Sequence, residues 1–262
     1  MTRRSSERPK VMGIINVTPD SFSDTVRYSG KEAVERMFRM EDEGADMIDI
    51  GGESTRPGAR PVPYEEEISR IVGVIRDAAP SLKVPISADT MHPETASAAI
   101  SAGAEMINDV GGLRDPRMIR VVTAAGVPVV IMHMHGVPQT MRENTMSGNV
   151  IGQISSFFDD ICGKVLNAGI RKENIILDPG IGFGKTFPQN TEIIVGLKEF
   201  QKGYPLLTGT SMKSFLGYAY PGIRAQDASI MSAIECVRNG ADIVRVHDIE
   251  GTIRALKEEH LY

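Results

Sequence analysis

Short apolar runs alternate with amphipathic stretches eight times along the chain, and that alternation predicts the architecture before any single residue does. The apolar runs are Val11–Val17, Met47–Gly51, Val84–Asp89, Glu105–Val110, Pro128–Met134, Asn174–Asp178, Pro205–Thr210 and Ile243–His247. Apolar character over so few residues marks strands buried on both faces, as in a parallel sheet. Between them, Lys31–Gly44, Tyr64–Ala79, Pro93–Gly103, Pro116–Gly126, Gly148–Gly169, Thr191–Gly203, Ala228–Gly240 and Gly251–Glu259 carry a helical period. Gly44, Gly103, Gly126, Gly169 and Gly240 stand just past five of these helices, where a left-handed C-cap is wanted. Eight strand–helix units without a linker predict a single (β/α)8 TIM barrel over residues 11–262, preceded by a short basic tail at 1–10. A doubly wound open sheet is the alternative, but it needs fewer units and gives no reason for eight.

Length and charge narrow the picture. The 262 residues suit one such barrel, which typically has ~250. With 29 Lys+Arg against 34 Asp+Glu, the net charge of -5 provides no global basic field for nucleic acid or an acidic membrane surface. Any phosphate binding is therefore expected to be local. No apolar run approaches the ~20 residues of a membrane span, and the tail with Arg3, Arg4, Arg8 and Lys10 is not followed by a signal-peptide core. Cys162 and Cys236 have neither metal spacing nor a disulfide framework, so they read as reduced thiols of a cytoplasmic protein.

In a (β/α)8 barrel the active site is built at the C-terminal ends of the strands. There the chain concentrates its polar residues: Asn16 through Asp24, Gly51 through Gly58, Ser87 through Thr90, Asn108 through Gly112, His133 through Gly136, Asp178 through Lys185, Ser211 through Ser214, and Arg245 through Asp248. Alternation along the last strand turns Arg245 and His247 to one face, toward the mouth. Two cations there suit an anion, and Arg56 on the Gly-rich second loop would join them with bidentate geometry. The competing reading of Arg245 is a buried ion pair with Asp49 or Asp248.

Asp89, Asn108 and Asp178 end three separate strands and together present acceptors and a carboxamide to a flat, donor-rich heterocycle. General acid–base work and magnesium binding remain alternative uses of such carboxylates. His133 and His135 lack zinc-like company. Gly180-Ile181-Gly182-Phe183-Gly184-Lys185 has the wrong spacing for a nucleotide phosphate loop. The segment Thr208–Ser214 is expected to open a helix, its hydroxyls, Lys213 and free N–H groups suited to a carboxylate or ring carbonyl.

Four stretches together resemble the dihydropteroate synthase family. They are Asn16-Val17-Thr18-Pro19-Asp20-Ser21-Phe22-Ser23-Asp24, Gly51-Gly52-Glu53-Ser54-Thr55-Arg56-Pro57-Gly58, Asp178-Pro179-Gly180-Ile181-Gly182-Phe183-Gly184-Lys185 and Arg245-Val246-His247-Asp248. The resemblance implies the joining of 6-hydroxymethyl-7,8-dihydropterin diphosphate to 4-aminobenzoate, with strong SN1 character at the pterin methylene and diphosphate as the leaving group. It further implies that Asp89, Asn108, Asp178 and Lys213 hold the pterin. Asn16, Arg56, Arg245 and His247 would hold the diphosphate, with Asn16 the ligand to Mg2+. Thr55, Pro57, Phe183, Ser214 and the loop residues Phe22, Ser23 and Asp24 would surround the aminobenzoate. A homodimer and inhibition by sulfonamide-type mimics of aminobenzoate follow from the same likeness. Two departures bear on the amine: Met212 stands where the family often has Arg, and Thr25-Val26 replaces two glycines. The same reaction with another arylamine, a folate:corrinoid methyltransferase and a catalytically silent pterin-binding module are the alternatives.

Overall fold

The computed structural model describes residues 8–17, 30–56 and 58–262. The expectations placed on Phe22, Ser23, Asp24 and Pro57, and on the Thr25-Val26 departure, fall outside the described residues. All eight expected strands form. They are β1 (Lys10–Asn16), β2 (Met47–Gly51), β3 (Ile86–Asp89), β4 (Met106–Asp109), β5 (Val129–Met132), β6 (Ile175–Asp178), β7 (Leu207–Thr208) and β8 (Ile243–Val246). Each pairs in parallel with its neighbours in the order β6-β5-β4-β3-β2-β1-β8-β7, and a bridge from Leu177 to Leu206 closes the ring between β6 and β7. This is the (β/α)8 barrel that the eightfold pattern predicts.

The helices are α1 (Gly30–Asp42), α2 (Tyr64–Ala78), α3 (Pro93–Ala102), α4 (Pro116–Ala125), α5 (Val150–Asn167), α6 (Phe187–Val195), α7 (Leu216–Ala219), α8 (Ala225–Arg238) and α9 (Ile249–Glu258). Their starts are chemically marked. Asp115, Asn149 and Asp248 each accept a backbone N–H of the first turn of α4, α5 and α9. The sixth helix starts earlier than the period suggests, at Phe187 rather than Thr191. Thr186 and Gln189 close a reciprocal capping box there. It also ends earlier, at Val195, and the remainder becomes a 3-10 turn at Leu197–Phe200. The segment Thr208–Ser214, expected to open a helix, instead leaves β7 at Thr208 and passes through turns before the single helical turn of α7. No helix among the described residues is long and apolar enough to cross a membrane.

Strand alternation sorts the core into two compartments. Outward-facing Val11, Ile15, Ile48, Ile50, Ile107, Ile131, Leu177 and Val244 join the helices in one cluster. Inward-facing Met12, Met47, Met106, Val130, Ile176, Leu207 and Ile243 fill the barrel floor. Moving two residues along each strand keeps the inward face and reaches Ile14, Asp49, Asn108, Met132, Asp178, Gly209 and Arg245. An apolar plug is thus roofed by a ring that turns polar within one pleat. That roof is the floor of the site.

Candidate active site

Register brings the roof residues together. Gly51 of β2 lies beside Asp89 of β3, Asp89 beside Asn108 of β4, and Met12 of β1 beside Arg245 of β8. Arg245 donates through Nε to Asp49 Oδ2 at 2.6 Å and through Nη2 to Asp89 Oδ2 at 2.7 Å. Asn108 Nδ2 donates to the same Asp49 oxygen at 2.9 Å. The ion-pair reading of Arg245 is therefore realised, with Asp49 and Asp89 rather than Asp248 as partners.

Burial pushes the Asp89 carboxyl up to about 8, with Arg245 opposing and Asp49 reinforcing the shift. Burial also pulls the Arg245 guanidinium down, but Asp49 and Asp89 outweigh it and hold the group above its ordinary value. The network has spare capacity. Asp49 Oδ1, Asn108 Oδ1 and Ser87 Oγ are buried without a hydrogen-bond partner among the described residues. Each such group costs roughly 1–3 kcal/mol. A ligand edge carrying N–H donors would relieve that cost.

Across the mouth, Asp178 Oδ1 accepts the Gly180 N–H at 2.7 Å. Burial raises the Asp178 carboxyl and the Lys213 charge opposes it. Lys213 donates to the Ile181 carbonyl and lies 4.6 Å above the Phe183 ring. Burial lowers its ammonium to about 8, against the pull of Asp178. Phe183 and Met91 rest on buried Val110, Met132 and Met134, which form an apolar wall. Acceptors on two sides, a cation above and an apolar wall make a slot for a planar, polar ring.

The glycine-rich stretch before Lys185 has a structural purpose. Lys185, 5% exposed, donates to the carbonyls of His133 (2.9 Å), Pro179 (2.9 Å) and Gly180 (2.7 Å) and meets His133 Nδ1 at 2.9 Å. Burial, then the Lys185 charge, lowers His133 to about 3, so its ring is neutral and Nδ1 accepts. Lys185 is thus turned inward and saturated, unlike a phosphate-binding lysine. Gly180 is required where it stands: its φ is +68°, and a Cβ there would lie 1.9 Å from the His133 carbonyl oxygen.

The cationic side lies over β8, β1 and β2. His247 Nδ1 is 2.9 Å from Ser211 Oγ, and the His247 N–H also donates to that oxygen at 3.4 Å. Burial lowers His247 to about 4, and the charges of Arg245 and then Arg56 lower it further. The charge of Arg56 therefore reaches His247, as that of Arg245 does. A cavity of about 420 Å³ is lined by Asn16, Ser211, Met212, His247 and, from α1, by Arg36 and Arg39.

Sequence reasoning missed the two α1 arginines, because three-residue spacing on a helix reads as a solvated face. Arg36 also pairs with Glu43. Met212, 43% exposed and with φ +59°, gives its N–H to Ser229 Oγ at 2.9 Å. Its departure from the family pattern therefore falls on the lining of this cavity. Thr55 is half-buried, Ser214 is exposed ahead of α7, and the second loop docks on the fifth through Gly58 N–H to the Pro138 carbonyl at 2.9 Å.

Known proteins share this arrangement. The pterin binding enzyme family matches residues 12–247. The dihydropteroate synthase of Synechocystis is 41% identical over 257 residues, covering 96% of this chain and 89% of its own length. A Yersinia pestis dihydropteroate synthase solved with a sulfonamide drug complex superposes with a TM-score of 0.91 at 38% identity, over 97% of this chain and 94% of that one. A Burkholderia cenocepacia dihydropteroate synthase complexed with 7,8-dihydropteroate gives 0.87 at 39% identity, over 97% and 91%.

Proposed function

The chain belongs to the dihydropteroate synthase family of pterin-binding enzymes, and we infer that it condenses 6-hydroxymethyl-7,8-dihydropterin diphosphate with 4-aminobenzoate to give 7,8-dihydropteroate and diphosphate in folate biosynthesis. One observation carries this reading: an acceptor-lined slot with buried, unmet oxygens is accompanied by His247, which feels the charges of Arg245 and Arg56 and borders a cavity that also carries Arg36 and Arg39. Asp89, Asn108 and Asp178 take the donor edge of the pterin, with Lys213 above it. Arg56, Arg245 and His247 face the departing diphosphate, where donors already in place stabilise the charge that develops as the carbon–oxygen bond lengthens. The same slot holds the ring while its methylene carbon gains positive character. The amine then attacks along a fixed line, so positioning replaces a nucleophilic side chain. Thr55, Phe183 and Ser214 are the described residues that we place around the amine.

The Ser211 hydroxyl accepts the His247 backbone N–H, and in the tautomer we assign it donates to Nδ1, which leaves the ring proton on Nε2. His247 thus offers the diphosphate a neutral donor between two arginines. The Asn16 carboxamide oxygen suits Mg2+, which keeps waters and takes most other ligands from substrate phosphates. When bound, that ion neutralises leaving-group charge. A folate:corrinoid methyltransferase would use the slot but has no need of the cationic cavity.

We further take the protein as a homodimer, on the support of exposed Tyr218 on α7, Ile223 on the connection that follows, and Met231 on α8. Its buried free thiols, Cys162 and Cys236, suit the cytoplasm. Purified protein given the pterin diphosphate, Mg2+ and 4-aminobenzoate should release diphosphate in step with dihydropteroate. A sulfonamide should compete with the aminobenzoate. Absence of release with every arylamine tried overturns the reading.

A further inference from the structure

We propose that Glu53, Glu67 and His92 form a divalent transition-metal site, with Zn2+ the best-fitting ion, on the β2–α2–β3 side of the barrel and separate from Asn16. Three segments each contribute one ligand. Glu53 follows β2, Glu67 lies in the first turn of α2, and His92 is the N-cap residue of α3. One donor atom from each lies within 4.8 Å of the others. His92 Nδ1 is 3.0 Å from Glu67 Oε2 and 3.9 Å from Glu53 Oε2. Zinc bonds of about 2.0–2.2 Å place tetrahedral neighbours roughly 3.3–3.6 Å apart, between those two spacings. One imidazole nitrogen with two carboxylates suits zinc, and leaves a coordination position for water.

The ligands are also held from behind, as metal ligands usually are. Thr90 Oγ1 donates to Glu67 Oε2 at 2.7 Å, and the Val62 N–H donates to Glu53 Oε1 at 3.2 Å, leaving Glu53 Oε2 for the cluster. Arg70, the neighbouring cation, gives one Nη to the Gly52 carbonyl at 2.5 Å and the other to Glu66.

A second observation points to an ion rather than to a hydrogen-bonded clamp. Glu67 is 0% exposed, and its Oε1 has no hydrogen-bond partner among the described residues. A protonated His92 would not repair this. Its Nδ1 carries one hydrogen, which the 3.0 Å contact assigns to Oε2. A divalent ion held by both oxygens of Glu67 would engage Oε1 as well as Oε2 and balance both glutamates at once. It would also tie the second loop, which carries Thr55 and Arg56, to the segment that follows Asp89.

The test uses the full-length protein stripped with a chelator, then titrated with Zn2+ against a chromophoric chelator in excess Mg2+. One zinc per chain is expected, with neighbours of nitrogen and oxygen only in zinc-edge X-ray absorption. His92→Ala and Glu53→Gln, each checked for native circular dichroism, should each weaken binding at least tenfold, and Asn16→Ala should leave it unchanged. Glu53 and His92 lie on connections outside the barrel strands, so at least one of the two variants can be read for folded protein. Sulfur neighbours, affinity unchanged in His92→Ala and Glu53→Gln, loss of binding in Asn16→Ala, or no stoichiometric zinc would each overturn the site.

Discussion

Arg245 and Lys185 are both cations drawn into the barrel mouth, and they are satisfied in opposite ways. Lys185 meets three carbonyls and a neutral imidazole, which uses every proton it has. Arg245 bridges Asp49 and Asp89, while the far oxygens of Asp49 and Asn108 remain unmet. A cation whose surroundings are complete is holding the fold. One whose partners still have open valences is holding a place for a ligand. The charge alone does not distinguish them; the hydrogen-bond accounting around it does.

The largest test of this contrast is Asp49→Ala. It leaves Arg245 with one buried partner and Asn108 with none, and should cost about 3–5 kcal/mol in chemical denaturation. A loss below about 1 kcal/mol would mean that Asp89 alone satisfies the guanidinium. Next comes Lys185→Met, expected to lose about 2–3 kcal/mol by stranding buried carbonyls, since the ammonium's own desolvation cost is removed with it. Pterin affinity in calorimetry should fall only as far as the folded fraction does; a selective loss would make Lys185 a ligand-binding residue after all.

Asp89→Asn sharpens the other half of the contrast. Burial raises the Asp89 carboxyl above its ordinary range, so the folded chain holds that proton more tightly than the unfolded chain, which releases it at about 4. Its contribution is complete below about pH 4 and is lost as pH rises through the raised folded value. His247 works the other way. Lowered to about 4, it contributes above about pH 6.5 and loses that as pH falls. The stability of Asp89→Asn relative to the native protein should therefore grow as pH rises above about 4, while its pterin affinity drops at least tenfold. Parallel stability curves would remove Asp89 from the titrating network. The smallest effect is Thr186→Ala, which opens the capping box beside Lys185 and should cost about 1 kcal/mol without touching pterin affinity.

Strand-borne features were legible in the sequence. Alternation placed Arg245, Asp178 and Asn108 on the inner face because a pleat leaves no choice, and all eight strands fall within a few residues of their expected positions. Features set by contacts between loops were not. The inward turn of Lys185 depends on His133 of another segment as well as on the Pro179 and Gly180 carbonyls of its own loop, and nothing in that loop announces His133. Asp49 is expected at the end of the second strand and as a rival partner for Arg245, but not as the hub that also binds Asn108. Arg36 and Arg39 look like an ordinary solvated face until the barrel mouth is set beside them. The sixth helix was misplaced for a local reason that was readable, since Thr186 and Gln189 have the spacing of a capping box.

The barrel's closure has a consequence for its ligands. Between β6 and β7 the ring is held by one bridge, Leu177 to Leu206, and β7 is only two residues long. Asp178 stands on one lip of that seam and Lys213 follows on the other. A pterin gripped by both would act as a clasp on the thinnest join of the cylinder. Recognition and closure are then one equilibrium. Ligand should slow amide exchange first at Leu177 and Leu207, and the midpoint of thermal unfolding should climb with ligand concentration as mass action requires.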